Sequence, residues 1–245
     1  MPPTSALRPR LSRFPRSPIQ RPRRTFLSSI LSAAAAPPPS QTVTASRRLP
    51  HHHADLYGLI ADIDSYSAFL PYCSASRVTS WTACADPEFG RRWPTRADLT
   101  AGWGGLEQTY TSRVFCVPGS IVEALSGEGA RSGIAPDVLA RYGLEDEPFS
   151  MPTPTRRDNV GGEEGVFRTL VTRWTVTPVE PGALTERGDE GAMRAGGRMG
   201  WSDVNLNIRF QFANPLYGAV SSAVADKVAP LMIEAFVERA KKVLR

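Results

Sequence analysis

Apolar and polar residues alternate strictly through residues 203–212, near the end of the chain. The apolar positions are Val204, Leu206, Ile208, Phe210 and Phe212. A period of two predicts a β-strand with one buried face and one solvated face. Asn214 and Pro215 then favour the cap and the first turn of a helix, because proline lacks the N–H that would be left unpaired there.

The next segment, 215–244, changes to a helical period. Its apolar stripe consists of Val220, Val224, Val228, Leu231, Met232, Ala235 and Phe236. A long amphipathic helix that follows a one-faced strand buries both apolar faces most simply by lying across the sheet. Pro230 predicts a bend in this helix near Asp226, because a proline removes one hydrogen bond and clashes with the preceding turn.

The rest of the chain predicts an antiparallel sheet of about seven strands. A first strand at 41–49 is followed by two short helices, at about 54–63 and 64–70. Strand-like runs follow at 74–82, 95–103, 106–117, 119–125, 166–178 and 200–213, and Gly104-Gly105 favours a tight hairpin. Consecutive strands with short connections pair antiparallel, so the predicted fold class is α+β.

Two segments interrupt this rhythm. Residues 127–165 are rich in Gly, Pro, Arg and Glu, and residues 181–198 are rich in Gly and charged residues. Neither has a sustained period. Both are interpreted as mobile insertions between adjacent strands, and 127–165 is predicted to be disordered and dispensable for folding.

The charge is concentrated at the N-terminus. The first 50 residues hold nine arginines and no acidic residue, so the remaining residues carry a net charge of about −4. This gives no reason to expect nucleic-acid binding by the folded part. Residues 1–33 have the composition of a mitochondrial presequence, and 34–40 form an Ala/Pro linker. The alternative is a disordered basic arm on a cytosolic protein. No stretch approaches the length of a membrane span.

The sequence offers little catalytic or metal chemistry. All three histidines are adjacent, at His51–His53, and we interpret them as the start of a helix and not as metal ligands. Asp62 and Asp64 are better explained as helix caps than as an acid/base pair. The three cysteines have no metal spacing and predict reduced thiols. We therefore expect no catalytic residue, no metal and no catalytic cofactor.

Three stretches resemble the mitochondrial coenzyme Q-binding protein family, which has the helix-grip fold of the START/polyketide-cyclase superfamily. The first is IADIDSYSAFLPYCSAS at 60–76, the second is YTSRV at 110–114, and the third combines FQFANPLY at 210–217 with MIEAFVERA at 232–240. The resemblance covers about 41–126 and 166–243. The chain departs from the family pattern in the 127–165 insertion and in Pro230.

The resemblance implies a single START-like domain over 41–245, with a curved sheet wrapped on the long C-terminal helix. It implies a non-enzymatic carrier or chaperone that binds ubiquinone and related isoprenoid lipids, for respiration and for ubiquinone biosynthesis. It also implies peripheral association with the matrix face of the mitochondrial inner membrane and contact with the ubiquinone biosynthetic complex. The alternatives are a cyclase-like enzyme on the same fold and a module that binds ribosomes or other proteins.

The ligand cavity implied by the resemblance lies between the sheet and the last helix. The residues predicted to line it are Phe69, Leu70, Pro71, Tyr72, Leu99, Trp103, Tyr110, Ser112, Val114, Arg168, Leu170, Trp174, Ile208, Phe210, Val224, Val228, Met232 and Phe236. Two interpretations of 69–72 stay open, ordinary core beneath the sheet edge or a rim that touches the membrane.

Two polar residues of this set, Ser112 and Arg168, are predicted to face inward and to hydrogen-bond a quinone oxygen. The alternative for Arg168 is a residue at a strand end that extends to water.

Overall fold

The computed structural model describes residues 39–103, 106–127, 129–144, 167–180, 200–213 and 215–244. The chain separates into two units, 1–36 and 37–245, and every described residue belongs to the second. The predicted presequence 1–33 lies outside the described residues, as do most of the linker 34–40, the hairpin glycines 104–105, Asn214 and the segment 181–198.

The described elements confirm the α+β prediction. In chain order they are β1 (Gln41–Leu49), α1 (His53–Ala61), a 3₁₀ helix (Ile63–Ala68), β2 (Cys73–Trp81), β3 (Pro94–Trp103), β4 (Leu106–Val117), β5 (Ile121–Ser126), α2 (Pro136–Arg141), β6 (Phe167–Pro178), β7 (Ser202–Phe212) and α3 (Pro215–Val243). The strands form one sheet in the order β1-β7-β6-β5-β4-β3-β2, and each pair is antiparallel.

The main core lies between the concave face of this sheet and α3. The alternating apolar residues of β7, from Val204 to Phe212, are all buried, and α3 packs against β1 and β7. Ala229, Ile233 and Phe236 form the buried stripe of α3. The helix continues through Pro230, which is exposed, and the predicted bend near Asp226 stays a prediction.

A second core lies on the convex face of the sheet. Residues 129–144, which contain α2, cover this face, so the prediction that 127–165 is disordered is wrong for them. The buried residues of this core are Phe115, Val117, Leu125, Ala130, Ile134, Leu139 and Val171. Strands β4, β5 and β6 have apolar residues on both faces, which is why both faces are covered. We call residues 129–144 the strap.

A buried charge holds the strap to the sheet. The Glu123 carboxylate is fully buried and accepts hydrogen bonds from Arg173 at 2.6 and 2.9 Å. It also accepts one from the Ser132 hydroxyl at 2.5 Å and one from the Gly133 N–H at 3.3 Å. A buried carboxylate needs such partners, because desolvation strongly disfavours an unpaired charge.

The two short helices pack on different parts of the sheet: α1 contacts β5 and β6, and the 3₁₀ helix contacts β2. His52 is the N-cap of α1, and its Nδ1 accepts from the Ala54 N–H at 3.2 Å. Asp64 does not cap a helix. Its carboxylate accepts the Val78 N–H of the edge strand β2 at 2.6 Å, so the 3₁₀ helix covers that edge. Asp62 accepts from the Ser65 hydroxyl at 2.6 Å.

Candidate functional site

The concave face of the sheet is only partly covered. Cys116, Val122 and Trp174 occupy one level across β4, β5 and β6, and all three are buried. One step along the strands, the paired Ala124 and Thr172 are half-buried although they lie at the middle of the sheet. Solvent therefore reaches the middle of the concave face at Ala124 and Thr172, whereas Trp174 is buried.

Several predicted site residues are half-buried in the same way. Leu99, Tyr110 and Leu170 lie on the sheet, and Val228 and Met232 of α3 pack against the main core. Val114, Ile208, Phe210, Trp174 and Phe236 are buried in that core. The predicted residues Trp103 and Val224 lie outside the residues whose side chains the structure describes.

A groove of about 460 Å³ opens on the surface between the 3₁₀ helix and α3. Its lining residues are Ser67, Ala68, Phe69, Leu70, Pro71, Leu231, Glu234, Ala235 and Glu238. Leu70 belongs to the core, which favours the plain core interpretation for that residue. Leu231 is 43% exposed, and Tyr72, which follows the lining residue Pro71 in the chain, is 40% exposed, so apolar surface faces solvent at and beside this groove.

Two charged contacts flank the groove. Glu234 pairs with Arg47 of β1, and the Arg239 guanidinium lies 5.7 Å from the centre of the Phe69 ring. Tyr72 has a φ of 65°, in the left-handed region that non-glycine residues rarely adopt, and its carbonyl accepts from the Gly102 N–H at 2.9 Å. These contacts fix the loop between the 3₁₀ helix and β2.

The two predicted polar residues have different outcomes. Ser112 faces the concave side and is buried, and its hydroxyl lies 2.6 Å from the Ser126 hydroxyl, with which it shares a hydrogen bond. The prediction that Arg168 faces inward is wrong, because a β-bulge between Phe167 and Thr169 shifts the alternation of β6. Phe167 takes the inward position and packs on Phe212, while Arg168 is exposed.

Aromatic residues that the sequence did not single out pack together in the main core beside Cys116. Tyr57 of α1 is fully buried, and its ring meets Trp93 edge-on at a centroid distance of 5.0 Å. Cys116 lies beside the Tyr57 hydroxyl, and burial raises the pKa of its thiol to about 12. Burial also raises the pKa of Tyr57. These groups are therefore neutral at physiological pH.

Metal and membrane-spanning features are absent from the part of the chain that the structure describes. No three His, Cys, Asp or Glu side chains of the described residues come together as a possible metal site. None of the helices within the described ranges combines the length and the hydropathy needed to cross a membrane.

His53 has a structural contact: its Nδ1 lies 3.2 Å from the Gly119 carbonyl oxygen, and this contact helps to anchor α1.

Comparison with known proteins identifies relatives over most of the chain. Residues 49–237 match the family described as polyketide cyclase / dehydrase and lipid transport. The chain is 30% identical over 195 residues to the mitochondrial coenzyme Q-binding protein coq10 of Schizosaccharomyces pombe, which covers 80% of this chain and 84% of the relative. It is 25% identical over 194 residues to the ribosome association toxin RatA of Pseudomonas aeruginosa, covering 79% and 91%.

A solved structure supports the fold. A START superfamily protein from Mycobacterium smegmatis superimposes with a TM-score of 0.50 at 10% identity, covering 82% of this chain and 98% of that protein. At this identity the similarity concerns the fold alone.

Proposed function

The chain belongs to the mitochondrial coenzyme Q-binding proteins within the polyketide cyclase / dehydrase and lipid transport family, and from this premise we propose that it is a non-enzymatic ubiquinone carrier. The observation that supports the proposal is the apolar, half-buried character of the concave face at Leu99 and Leu170, together with the half-buried Val228 and Met232 of α3. A carrier needs to bury and release an apolar ligand, and this requires no nucleophile or general base.

The proposal extends to membrane and compartment. The groove beside Tyr72 and Leu231 supports peripheral contact with a bilayer, because amphipathic and apolar side chains at a surface favour the membrane interface. The acid-free, arginine-rich residues 1–33 support import into mitochondria, and we place the protein at the matrix face of the inner membrane. The family supports roles in respiratory electron transport and in ubiquinone biosynthesis, including contact with the biosynthetic complex.

The test uses the inner side of α3. Val228 is half-buried at the border of the accessible space, so Val228→Phe should fill that space and displace the ligand. We expect near-normal thermal stability of the ligand-free variant and loss of the quinone that co-purifies from the native membrane, measured by mass spectrometry of extracted lipids. Met232→Ala should weaken quinone binding without abolishing it, because it removes a flexible contact and leaves the space open.

Lys227→Phe is the matched control, since it adds the same ring at the exposed neighbouring position and should keep the quinone. If α3 packed tightly on the sheet at Val228, the larger side chain would strain the core by about 1–3 kcal/mol. A strongly destabilised Val228→Phe protein, together with a wild type that carries no quinone, would contradict the carrier proposal.

The relative from Pseudomonas aeruginosa supports a second candidate, a module that associates with ribosomes. A single preparation of the protein from mitochondria distinguishes the two candidate functions. A carrier yields quinone in the lipid extract, whereas a ribosome-binding module co-sediments with ribosomes in a salt-dependent manner.

A further inference from the structure

A threonine hydroxyl at the middle of the concave face is accessible and has no partner within the described chain. Thr172 is half-buried on β6, and its hydroxyl makes no hydrogen bond with any described residue. Nor does this oxygen belong to the unpaired polar atoms that are sealed from solvent. A polar group among apolar neighbours loses free energy when it has no partner, so a ligand oxygen that reaches it gains a hydrogen bond.

Most other hydroxyls on this face are satisfied within the fold. Ser112 and Ser126 share a hydrogen bond at 2.6 Å, and Ser202 donates to the His51 carbonyl at 2.9 Å. Tyr110 is the exception, since its hydroxyl also bonds none of the described residues, but it lies toward the edge strand β2, near the Cys73 thiol. Thr172 is therefore the accessible unpaired hydroxyl nearest the centre of the sheet.

The strand register shows why the concave face is open at this point. Val114 pairs with Ala124, Ala124 with Thr172, and Thr172 with Ile208, so the four residues form one row across β4 to β7. The outer residues Val114 and Ile208 are buried, whereas Ala124 and Thr172 are half-buried. Neighbouring strands lie about 4.8 Å apart, and the methyl side chain of Ala124 fills little of this width. The row is therefore lowest beside the Thr172 hydroxyl.

The neighbours of Thr172 along the sheet give the site a direction. Leu170, two residues before it on the same face, is half-buried. Trp174, two residues after it, is buried and packs on Phe236 of α3 at a centroid distance of 5.3 Å. Leu99 of β3 continues the half-buried apolar surface on the Leu170 side. A ligand with its polar end at Thr172 thus extends toward Leu170 and not toward Trp174.

We propose that the Thr172 hydroxyl donates a hydrogen bond to the oxygenated ring of the quinone, which lies over Ala124 with its isoprenoid tail over Leu170. This inference rests on the proposed function and adds a residue that the sequence did not single out. The carbonyl and methoxy oxygens of a ubiquinone ring are acceptors, and a threonine hydroxyl is a donor. In a mostly apolar site, one such polar contact fixes the orientation of the ligand.

The test is Thr172→Val, because valine has nearly the same shape as threonine and lacks the hydroxyl. The experiment measures the thermal stability of the ligand-free full chain and its affinity for ubiquinone with a short isoprenoid tail. We expect a roughly fivefold loss of affinity. The variant should melt no lower than wild type, because no described residue loses a hydrogen bond.

Two further variants separate the hydroxyl from the shape of the side chain. Thr172→Ser keeps the hydroxyl and should retain most of the affinity. Thr177→Val makes the same substitution on the same strand at an exposed position, and it should bind ubiquinone as wild type does.

Wild-type affinity in Thr172→Val would overturn the inference and leave the carrier function standing. So would an equal loss in Thr172→Ser and Thr172→Val, which would assign the effect to shape. A Thr172→Val protein that melts lower would show that the hydroxyl is bonded within the fold, and this also overturns the inference. Loss of affinity in Tyr110→Phe but not in Thr172→Val would place the ring beside Cys73 instead. A wild type that binds no ubiquinone overturns the proposed function itself.

Discussion

Cys116, Tyr57 and Tyr66 are all buried in the main core, where a negative charge would have no water around it. Burial raises the pKa of the Cys116 thiol from 9.0 to about 12, and it raises the pKa of both phenols above their usual value of 10.0. The folded protein therefore keeps three protons that the unfolded chain releases above about pH 9 to 10.

This difference predicts a loss of stability in alkaline solution. Groups with a raised folded-state pKa stabilise the fold fully below the unfolded pKa, and that contribution declines as the pH rises above it. We expect the urea midpoint, measured with a reductant present, to be constant from pH 7 to 8.5 and to fall by pH 10.5. Above its unfolded pKa, each of these groups lowers the free energy of unfolding by up to about 1.4 kcal/mol per pH unit. Tyr66→Phe should show a shallower fall, and a midpoint that does not change up to pH 10.5 would contradict the assignment.

Single residues also show where periodicity fails as a guide. The alternation of β6 places Arg168 on the inner face, but one extra residue in a bulge reverses that assignment and no feature of the sequence marks the bulge. Asp64 looks like a helix cap from its place after Ile63, yet it bonds a strand 14 residues away. The contact between Tyr57 and Trp93 gives no sequence signal, because only the fold brings α1 to the start of β3.

At the scale of elements, the strap is the feature that changes the view of the chain most. Its Gly- and Pro-rich composition led to the prediction of disorder. The helix Pro136–Arg141 was missed because six residues show too little periodicity to be recognised. The sequence shows apolar residues such as Phe115 and Leu125 on the convex face, but the prediction named no segment that buries them. Strands β4 and β5 are apolar on both faces, which indicates that a second segment must cover the convex face.

We therefore predict that the strap contributes to stability. Leu139 is buried against the convex face, so Leu139→Ala should lower the free energy of unfolding by about 2–5 kcal/mol, as measured by urea denaturation. Ala140→Ser changes the exposed neighbouring position and should have an effect within about 0.5 kcal/mol. Equal stability of Leu139→Ala and wild type would mean that the strap is dispensable after all.

The groove between the 3₁₀ helix and α3 carries a separate prediction about lipid exchange. Tyr72 and Leu231 expose 40% and 43% of their surface, so replacing both by Ser should leave the fold intact. If these side chains contact the bilayer, the double variant should bind liposomes more weakly and transfer quinone between vesicles more slowly. Trp81→Ser, at an exposed position in a different element, serves as the control. Unchanged liposome binding would restrict the groove to a structural role.

At the scale of the whole molecule, the sequence predicted most of the fold. The strict alternation of β7 and the proline that starts α3 identified the central pairing of strand and helix, and the strand bounds agree with the structure within about two residues. The shape of the site was less accessible to sequence reasoning. Whether Ala124 and Thr172 face a packed core or an open space depends on how far α3 reaches across the sheet, and no local pattern encodes that distance.

The compartment of the whole protein is also testable. Residues 1–45 combine the arginine-rich, acid-free segment with the linker, so a fusion of this segment to a fluorescent reporter should enter mitochondria and lose about thirty residues. Imaging and the mass of the imported reporter check both points. Replacing Arg8, Arg10, Arg13 and Arg16 by Gln should leave the reporter in the cytosol, and import of that variant at the normal rate would argue against a presequence.

The pairing of β1 with β7 has a consequence for the order of folding. Arg48 and Asp203 face each other across these strands, 155 residues apart in the chain, at 2.8 Å. Strand β1 is synthesised before its partner β7 and cannot pair until β7 is available. Contacts between residues so far apart in the chain make folding slow. Until β1 and β7 pair, the apolar residues of β1, β7 and α3 stay exposed to solvent. If the proposed presequence directs import, we expect the incoming chain to depend on chaperones inside the organelle until residues 202–243 have crossed the membrane.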